Sequence, residues 1–114
     1  ISTVESKLDN QKTIIDVLES TFPMGSMTGA PKVEALKIID DLELSKRGVY
    51  SGSIGYIQPN GNFDFNVVIR SLLYDSQKKL LSFHVGSAIT SSSIPEYEYD
   101  ECLLKAKPMI SIFD

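Results

Sequence analysis

Two glutamates and a lysine near the end of the chain have the types and spacing to hold a cation. Glu98, Glu101 and Lys105 are three and four residues apart, so in a helix all three side chains project from one side. Two carboxylates one turn apart repel unless a cation lies between them, and hard oxygen ligands at this spacing suit Mg²⁺. The same spacing is typical of a solvent-exposed helix face stabilised by a Glu101–Lys105 ion pair, and both interpretations stay open.

Three further side chains could contact a ligand or simply pack. Arg70 follows Ile69 in an apolar stretch, and its planar guanidinium could bind a carboxylate through two hydrogen bonds. An arginine at a strand edge or on the surface is the ordinary alternative. Tyr56 is either a packed aromatic or a ligand contact. His84 is the single histidine, and since no acidic residue is near it in sequence we interpret it as structural.

A glycine-bracketed turn at residues 25–32 leads directly into a helix. Gly25 and Gly29 allow a tight backbone path, and Pro31 suits the first helical turn because its missing N–H costs nothing there. The free N–H groups at such a helix start can bind an anion. A plain connection between two elements is the alternative.

Apolar spacing predicts the helices that must position these residues. Residues 10–21 form an amphipathic pattern that ends at Phe22-Pro23. From Pro31 onward, a second helix has an apolar stripe, and residues 93–96 predict a third through a capping-box spacing with Pro95 in the first turn. The stripe of the second helix comprises Ala35, Ile38, Ile39 and Leu42, and that of the third comprises Tyr99, Cys102, Leu103 and Ala106.

Alternating patterns between the helices predict strands. Residues 49–57, 63–72 and 80–90 read as a three-stranded antiparallel meander, with turns at Asn60-Gly61 and at residues 75–78. The small residues Gly52, Ser53 and Gly55 predict close approach by a ligand or another backbone. Residues 1–5 have a short β-type pattern. Together with about three helices, this predicts an α+β fold.

Composition excludes several function classes. A chain of 114 residues with 42% hydrophobic residues can form one modest core. The net charge of −4 argues against a nucleic-acid partner. No apolar run reaches the ~18 residues of a membrane span, and the single cysteine, Cys102, is typical of a reducing compartment. We therefore expect a cytoplasmic domain with no membrane contact.

Four motifs, in this order, resemble the C-terminal part of the chorismate-binding enzymes. They are FPMGSMTGAPK at 22–32, RGVYSGSIGY at 47–56, FNVVIRSL at 65–72 and EYEYDECLLKA at 96–106. The resemblance covers essentially all of residues 1–114. Within the family, the first and third motifs are most similar to the aminodeoxychorismate synthase branch. Anthranilate synthases more typically have Gly-Thr in the turn and Gln-x-Gly-Ala-Gly before the last helix.

The resemblance also implies roles for particular residues. Glu98 and Glu101 match a family glutamate pair that holds Mg²⁺ against the ring carboxylate of chorismate. Lys105 matches a lysine of the same site, and His84 matches no catalytic position. The substrate-binding positions implied are Gly25, Ser26 and Thr28 in the turn, Tyr56 and Arg70 at the pyruvyl side, and Gly86 and Ala88 as backbone donors, where Ala88 replaces the usual second glycine.

The implied parent activity is amination of chorismate with ammonia from a glutamine amidotransferase subunit, on the route to p-aminobenzoate and folate. Family members are several times longer, so we expect residues 1–114 to be a C-terminal portion, truncated at the N-terminal side and inactive alone. Anthranilate synthase component I is the nearest alternative. A non-catalytic binding or interaction domain is the alternative from another class.

Removal from a larger domain predicts self-association. A strand at residues 1–4 would lose its parent neighbours, and an apolar face would lose its cover. Unpaired edges and exposed apolar patches both favour pairing between copies. We expect a homodimer or larger assembly with residues 1–4 or the edge of the meander at the contact.

Overall fold

The computed structural model describes residues 3–114, which divide into two compact units, residues 3–44 and residues 45–114. The first unit is helical, and the second combines antiparallel strands with a long helix. The predicted α+β class is therefore confirmed. Among the described residues, no helix is long and apolar enough to cross a membrane. The β-type pattern predicted at residues 1–5 lies partly outside the described residues, and residues 3–5 belong to no strand.

The first helix, α1, spans Ile14–Thr21 and begins with a capping box. The Thr13 hydroxyl accepts from the Asp16 N–H at 3.3 Å, and the Asp16 carboxylate accepts from the Thr13 N–H at 2.7 Å. These hydrogen bonds, the backbone one first, hold the pKa of Asp16 below its usual value. The helix ends at Thr21, as the sequence predicts, and Phe22 is its C-cap residue directly before Pro23; the predicted start at residue 10 is four residues early.

The glycine-bracketed segment forms a single helical turn, α2, at Gly25–Thr28, and the next helix, α3, spans Lys32–Leu42. Gly29 lies between them with a φ of 123°, a backbone conformation that favours glycine. Pro31 is the N-cap residue of α3, so the prediction that it lies in the first helical turn is one residue early. The predicted stripe is only partly covered, since Ile38 is 56% and Leu42 72% exposed.

A hairpin opens the second unit. Its strands β1, Ser53–Ile57, and β2, Phe63–Val67, are antiparallel, with Gly55 opposite Phe65. The predicted Asn60-Gly61 turn is confirmed: the Gly61 N–H donates to the Gln58 carbonyl at 2.9 Å, and Gly61 has a φ of 87°. A Cβ at Gly55 would overlap the Asp64 carbonyl oxygen and the Phe65 ring. The predicted close approach at this glycine is therefore made by the partner strand.

The predicted three-stranded meander is wrong in its pairing, because the strands form two separate hairpins. The second hairpin consists of β3, Leu73–Asp75, and β4, Leu80–Ser82. The interruption has a local cause: the Ile69 N–H donates to the Val67 carbonyl at 3.0 Å, and Arg70 has a φ of 51°. Both features turn the backbone out of the extended conformation that a strand needs. Arg70 consequently lies between the hairpins, and residues 83–90 continue without strand pairing.

The last helix, α4, spans Pro95–Ile110 with Pro95 in its first turn, as predicted. The predicted capping box at residues 93–96 is wrong, because the N-cap residue is Ile94 and no side chain caps the helix. The Ser93 hydroxyl instead accepts from the Thr90 N–H at 3.0 Å. The apolar stripe is shifted: Ala106 and Met109 are buried and Cys102 is half-buried, whereas Tyr99 and Leu103 are exposed.

Most apolar side chains of the described residues stay in contact with solvent. Between residues 3 and 114, the buried apolar side chains are those of Val68, Ala106 and Met109, and the polar Ser51 is buried as well. Ile54, on β1, is 59% exposed, and each two-stranded sheet has free edges. Such a small core and so much exposed apolar surface favour burial against other molecules.

We predict that the 114-residue chain forms a homodimer or a larger assembly. Light scattering behind size exclusion over a range of concentrations measures the mass directly. Replacing Ile54 by lysine should lower that mass, because it places a charge on an exposed strand. Replacing Lys46 by glutamate, on an exposed position away from the hairpin strands, serves as the control. A monomeric mass at every concentration would contradict the prediction.

Candidate functional site

The first two turns of α4 and the segment before it bring two carboxylates onto one hydroxyl. Ser87 Oγ contacts Glu98 Oε2, and it lies 2.9 Å from Glu101 Oε2. The helix sets the two glutamates on one side, since they are three residues apart. The unpaired segment at residues 83–90 supplies the serine from outside the helix. We call this set of three residues the carboxylate cluster.

Lys105 fixes the carboxylate cluster from its other side. Its Nζ lies 2.6 Å from Glu101 Oε1 and donates to the Gly86 carbonyl at 2.9 Å. The prediction that Glu98, Glu101 and Lys105 share one side of a helix is consistent with these contacts. The ion pair of the exposed-face interpretation is present as well. Lys105 therefore connects α4 to Gly86, the residue that precedes Ser87.

The charge state of Glu101 follows from these contacts. The hydrogen bond from Lys105, followed by the one from Ser87, holds the pKa of the Glu101 carboxyl below its ordinary value of 4.5. Because folding lowers this pKa, the interaction is complete at pH values above 4.5 and is lost as the pH falls through the lowered value. At neutral pH Glu101 is ionised, as a cation ligand must be.

The donor set fits a hard divalent cation of the Mg²⁺ type. Glu98 and Glu101 each place a carboxylate oxygen on Ser87 Oγ, so oxygens from the two carboxylates and the hydroxyl lie close together. Mg²⁺ is commonly held by one or two protein carboxylates and keeps several water ligands. Among residues 3–114, no group of three or more histidine, cysteine, aspartate and glutamate side chains gathers in a way that could hold a metal ion.

Gly86 lies between Lys105 and an aromatic pair. A Cβ on Gly86 would lie 2.9 Å from the Tyr50 hydroxyl oxygen, so a larger residue would require the Tyr50 side chain to shift. The Tyr50 ring stacks on the His84 ring with centroids 5.4 Å apart and planes 18° apart. His84 Nδ1 is buried without a hydrogen-bond partner in the part of the chain that the structure describes. His84 is therefore a packed ring, in line with its structural interpretation.

Within the second unit, residues 45–114, the other predicted substrate-binding residues have no hydrogen bond to the carboxylate cluster. Tyr56 is 57% exposed on β1, opposite Asp64, and Arg70 is exposed between the hairpins. The Ala88 carbonyl accepts from the Ser93 hydroxyl at 3.4 Å. In the first unit, Gly25 and Ser26 belong to α2, and the Thr28 hydroxyl donates to the Met24 carbonyl at 3.2 Å. The substrate-binding roles of these residues stay predictions, as does the anion site at the start of α3.

The interpretation of the sequence did not identify two residues of this region, Ser87 and Tyr50. The sequence interpretation gives no role to Ser87, and it includes Tyr50 only as part of the motif at residues 47–56. A signal for Ser87 exists in the sequence, since a hydroxyl between Gly86 and Ala88 precedes a helix with two acidic residues on one side. No pattern in the sequence predicts that Tyr50 stacks on His84.

Comparison with known proteins defines the class. Residues 1–111 match the family described as chorismate binding enzyme, and the chain belongs to this family. It is 45% identical over 107 residues to a probable chloroplastic aminodeoxychorismate synthase of Oryza sativa subsp. japonica, covering 94% of this chain and 12% of that protein. It is 40% identical over 114 residues to the aminodeoxychorismate synthase of Streptomyces griseus, covering all of this chain and 16% of the relative.

An anthranilate synthase is similar to a comparable degree. The anthranilate synthase component 1 of Acetivibrio thermocellus is 40% identical over 114 residues, covering all of this chain and 23% of that protein. The chain thus spans between 12% and 23% of the length of these three relatives. The match to the family confirms the resemblance on which the site residues were assigned. It does not separate the two enzyme branches.

Proposed function

We propose that this chain is the C-terminal portion of an aminodeoxychorismate synthase component I, which aminates chorismate to 4-amino-4-deoxychorismate. The relatives named aminodeoxychorismate synthase support this choice, as do the motifs at residues 22–32 and 65–72. Ammonia would come from a glutamine amidotransferase subunit, and the product would serve p-aminobenzoate and folate synthesis. The cytoplasmic location belongs to the same proposal, since Cys102 is a free thiol.

The observation that carries the proposal is the carboxylate cluster with its lysine. Glu98 and Glu101 would hold Mg²⁺, which when bound supplies a positive charge that polarises the substrate carboxylate and stabilises the charge of the departing hydroxyl. Lys105 keeps Glu101 ionised and binds the Gly86 carbonyl, which holds residues 86–88 next to the helix. In this proposal the backbone of Gly86 and Ala88 donates to a substrate carboxylate.

The remaining substrate contacts come from outside α4. Arg70 is exposed and its guanidinium has no hydrogen bond or ion pair to the described residues, so its planar donor fork is free for a carboxylate. Tyr56 would contact the same side of the substrate. Gly25, Ser26 and Thr28 would line the pocket, with the Ser26 hydroxyl as the polar group available for contact. Residues 1–114 carry only part of such a site, and we propose that they are inactive alone.

Anthranilate synthesis is the second candidate, favoured by the 40% identity to the anthranilate synthase component 1 of Acetivibrio thermocellus. The two reactions differ in their products. Amination alone leaves the pyruvyl group on the ring, whereas anthranilate formation releases pyruvate and makes the ring aromatic.

Product analysis of the full-length protein tests the proposal. The protein is incubated with chorismate, ammonium and Mg²⁺, and the products are separated by chromatography while released pyruvate is measured by a coupled assay. We expect 4-amino-4-deoxychorismate without pyruvate. Equal amounts of anthranilate and pyruvate would replace the proposal by its second candidate. Absence of chorismate turnover with either ammonium or an amidotransferase partner would reject both enzymes.

A further inference from the structure

Ser87 has contacts that the residue assignments above leave unexplained. Its single hydroxyl lies against Glu98 Oε2 and Glu101 Oε2, although these residues are 11 and 14 positions further along the chain. Both contacts are therefore made by tertiary structure. No other hydroxyl in the described part of the chain is hydrogen-bonded to both glutamates.

The Ser87 hydroxyl has one hydrogen too few to donate to both carboxylate oxygens that it contacts. A serine hydroxyl has one hydrogen and two lone pairs, and an ionised carboxylate can only accept. The hydroxyl can therefore satisfy one of the two carboxylate oxygens fully, and the other oxygen faces a lone pair. Lys105 does not remove this deficit, because its Nζ lies on the opposite oxygen of Glu101, Oε1. A cation bound to the unsatisfied carboxylate oxygen would take the place of the missing hydrogen bond.

We propose that Ser87 is a positioning residue for the cation held by Glu98 and Glu101. Its hydroxyl orients one oxygen of each carboxylate toward a common point, so that a single divalent cation can bind both. The inference rests on the metal assignment of the proposed function. Hydrogen bonds to ligating carboxylates are a general feature of metal sites, and loss of such a partner typically weakens metal binding about 10- to 100-fold.

The backbone around Ser87 is held from two directions, which suits a positioning role. The Gly86 carbonyl accepts from Lys105 Nζ at 2.9 Å, and the Tyr50 hydroxyl oxygen lies 2.9 Å from the position that a Cβ of Gly86 would occupy. The lysine also binds Glu101, so the serine and one of its two carboxylates have a common anchor. These contacts therefore fix the backbone position from which the Ser87 hydroxyl reaches the two carboxylates.

Metal titration of the full-length protein tests this role without relying on activity. Mn²⁺ binding is followed by electron paramagnetic resonance, with Mg²⁺ added as a competitor. Ser87→Ala is expected to weaken binding of both ions by at least about tenfold. Ser87→Thr, which keeps the hydroxyl, is expected to restore it. Ser111→Ala is the matched control, because this serine lies at the other end of α4, ~20 Å from Glu98, and its hydroxyl donates to the Pro108 carbonyl.

Glu101→Gln, measured in parallel, separates the failure of this inference from failure of the metal site. Unchanged metal affinity in Ser87→Ala, with weakened affinity in Glu101→Gln, would overturn the role of Ser87 and keep the glutamates as ligands. Equal losses in the alanine and threonine variants would also overturn it, since the hydroxyl would not be the cause. Unchanged affinity in Glu101→Gln would overturn the metal assignment and the role of Ser87 together.

Discussion

Replacing Glu101 by glutamine in the full-length protein is expected to abolish chorismate turnover while leaving the fold intact. The amide keeps the size of the side chain but removes the charge that pairs with Lys105 at 2.6 Å. It also removes one of the two carboxylates available to Mg²⁺, which binds through hard, charged oxygen ligands. Turnover is measured at saturating chorismate and high Mg²⁺, and the fold is checked by circular dichroism.

Glu96→Gln provides the matched control for this experiment. Glu96 lies in the first turn of α4, is exposed, and has no hydrogen bond or ion pair to the described residues. Its loss removes the same charge from the same helix without touching the carboxylate cluster. Activity near that of the unmodified protein in Glu101→Gln would remove Glu101 from the site. A similar loss in both variants would point to helix stability as the cause.

Replacing Arg70 by lysine is expected to raise the KM for chorismate in the full-length protein. Lysine keeps the positive charge but loses the planar fork that binds a carboxylate through two hydrogen bonds. A charge-assisted hydrogen bond contributes about 1.5–3 kcal/mol, which corresponds to a roughly 10- to 150-fold increase in KM. Steady-state kinetics with chorismate as the varied substrate gives this value.

The conformation of Arg70 makes this substitution informative. Its φ of 51° is uncommon for a residue with a side chain, and lysine shares the same restriction, so the exchange does not change the backbone preference. A lower kcat with an unchanged KM would indicate an effect on the reaction step and not on substrate binding. Unchanged kinetics would support the alternative interpretation, in which Arg70 is a surface residue.

Local sequence patterns were sufficient for many elements of the fold. Proline and apolar spacing located α1 and α3, and Asn60-Gly61 located the first hairpin. The spacing of Glu98, Glu101 and Lys105 predicted a shared side of α4, and the ion pair of Lys105 with Glu101 agrees with it. These features depend on residues within about four positions of one another, or on the special backbone preferences of proline and glycine. Sequence alone contains that information.

Other features were decided by turns and hydrogen bonds that the periodic pattern of the sequence does not specify. The alternation at residues 63–72 predicted one continuous strand, but the turn at Ile69 and Arg70 divides the strands into two hairpins. The capping box expected at residues 93–96 is absent because the Ser93 hydroxyl accepts from Thr90. The pattern of apolar residues does not predict a backbone turn or an alternative hydrogen-bond partner, since both depend on the path of the neighbouring loop.

The carboxylate cluster likewise combines features that the sequence predicts with contacts that only the tertiary structure provides. The sequence by itself placed two carboxylates and a lysine on one helix face, where the spacing left both an ion pair and a cation site open. Only the tertiary structure brought Ser87 onto both carboxylates and the Gly86 carbonyl onto Lys105. The physical reason is that helical geometry fixes neighbours along α4, whereas a group from the preceding segment reaches them only when residues 83–90 fold back along the helix.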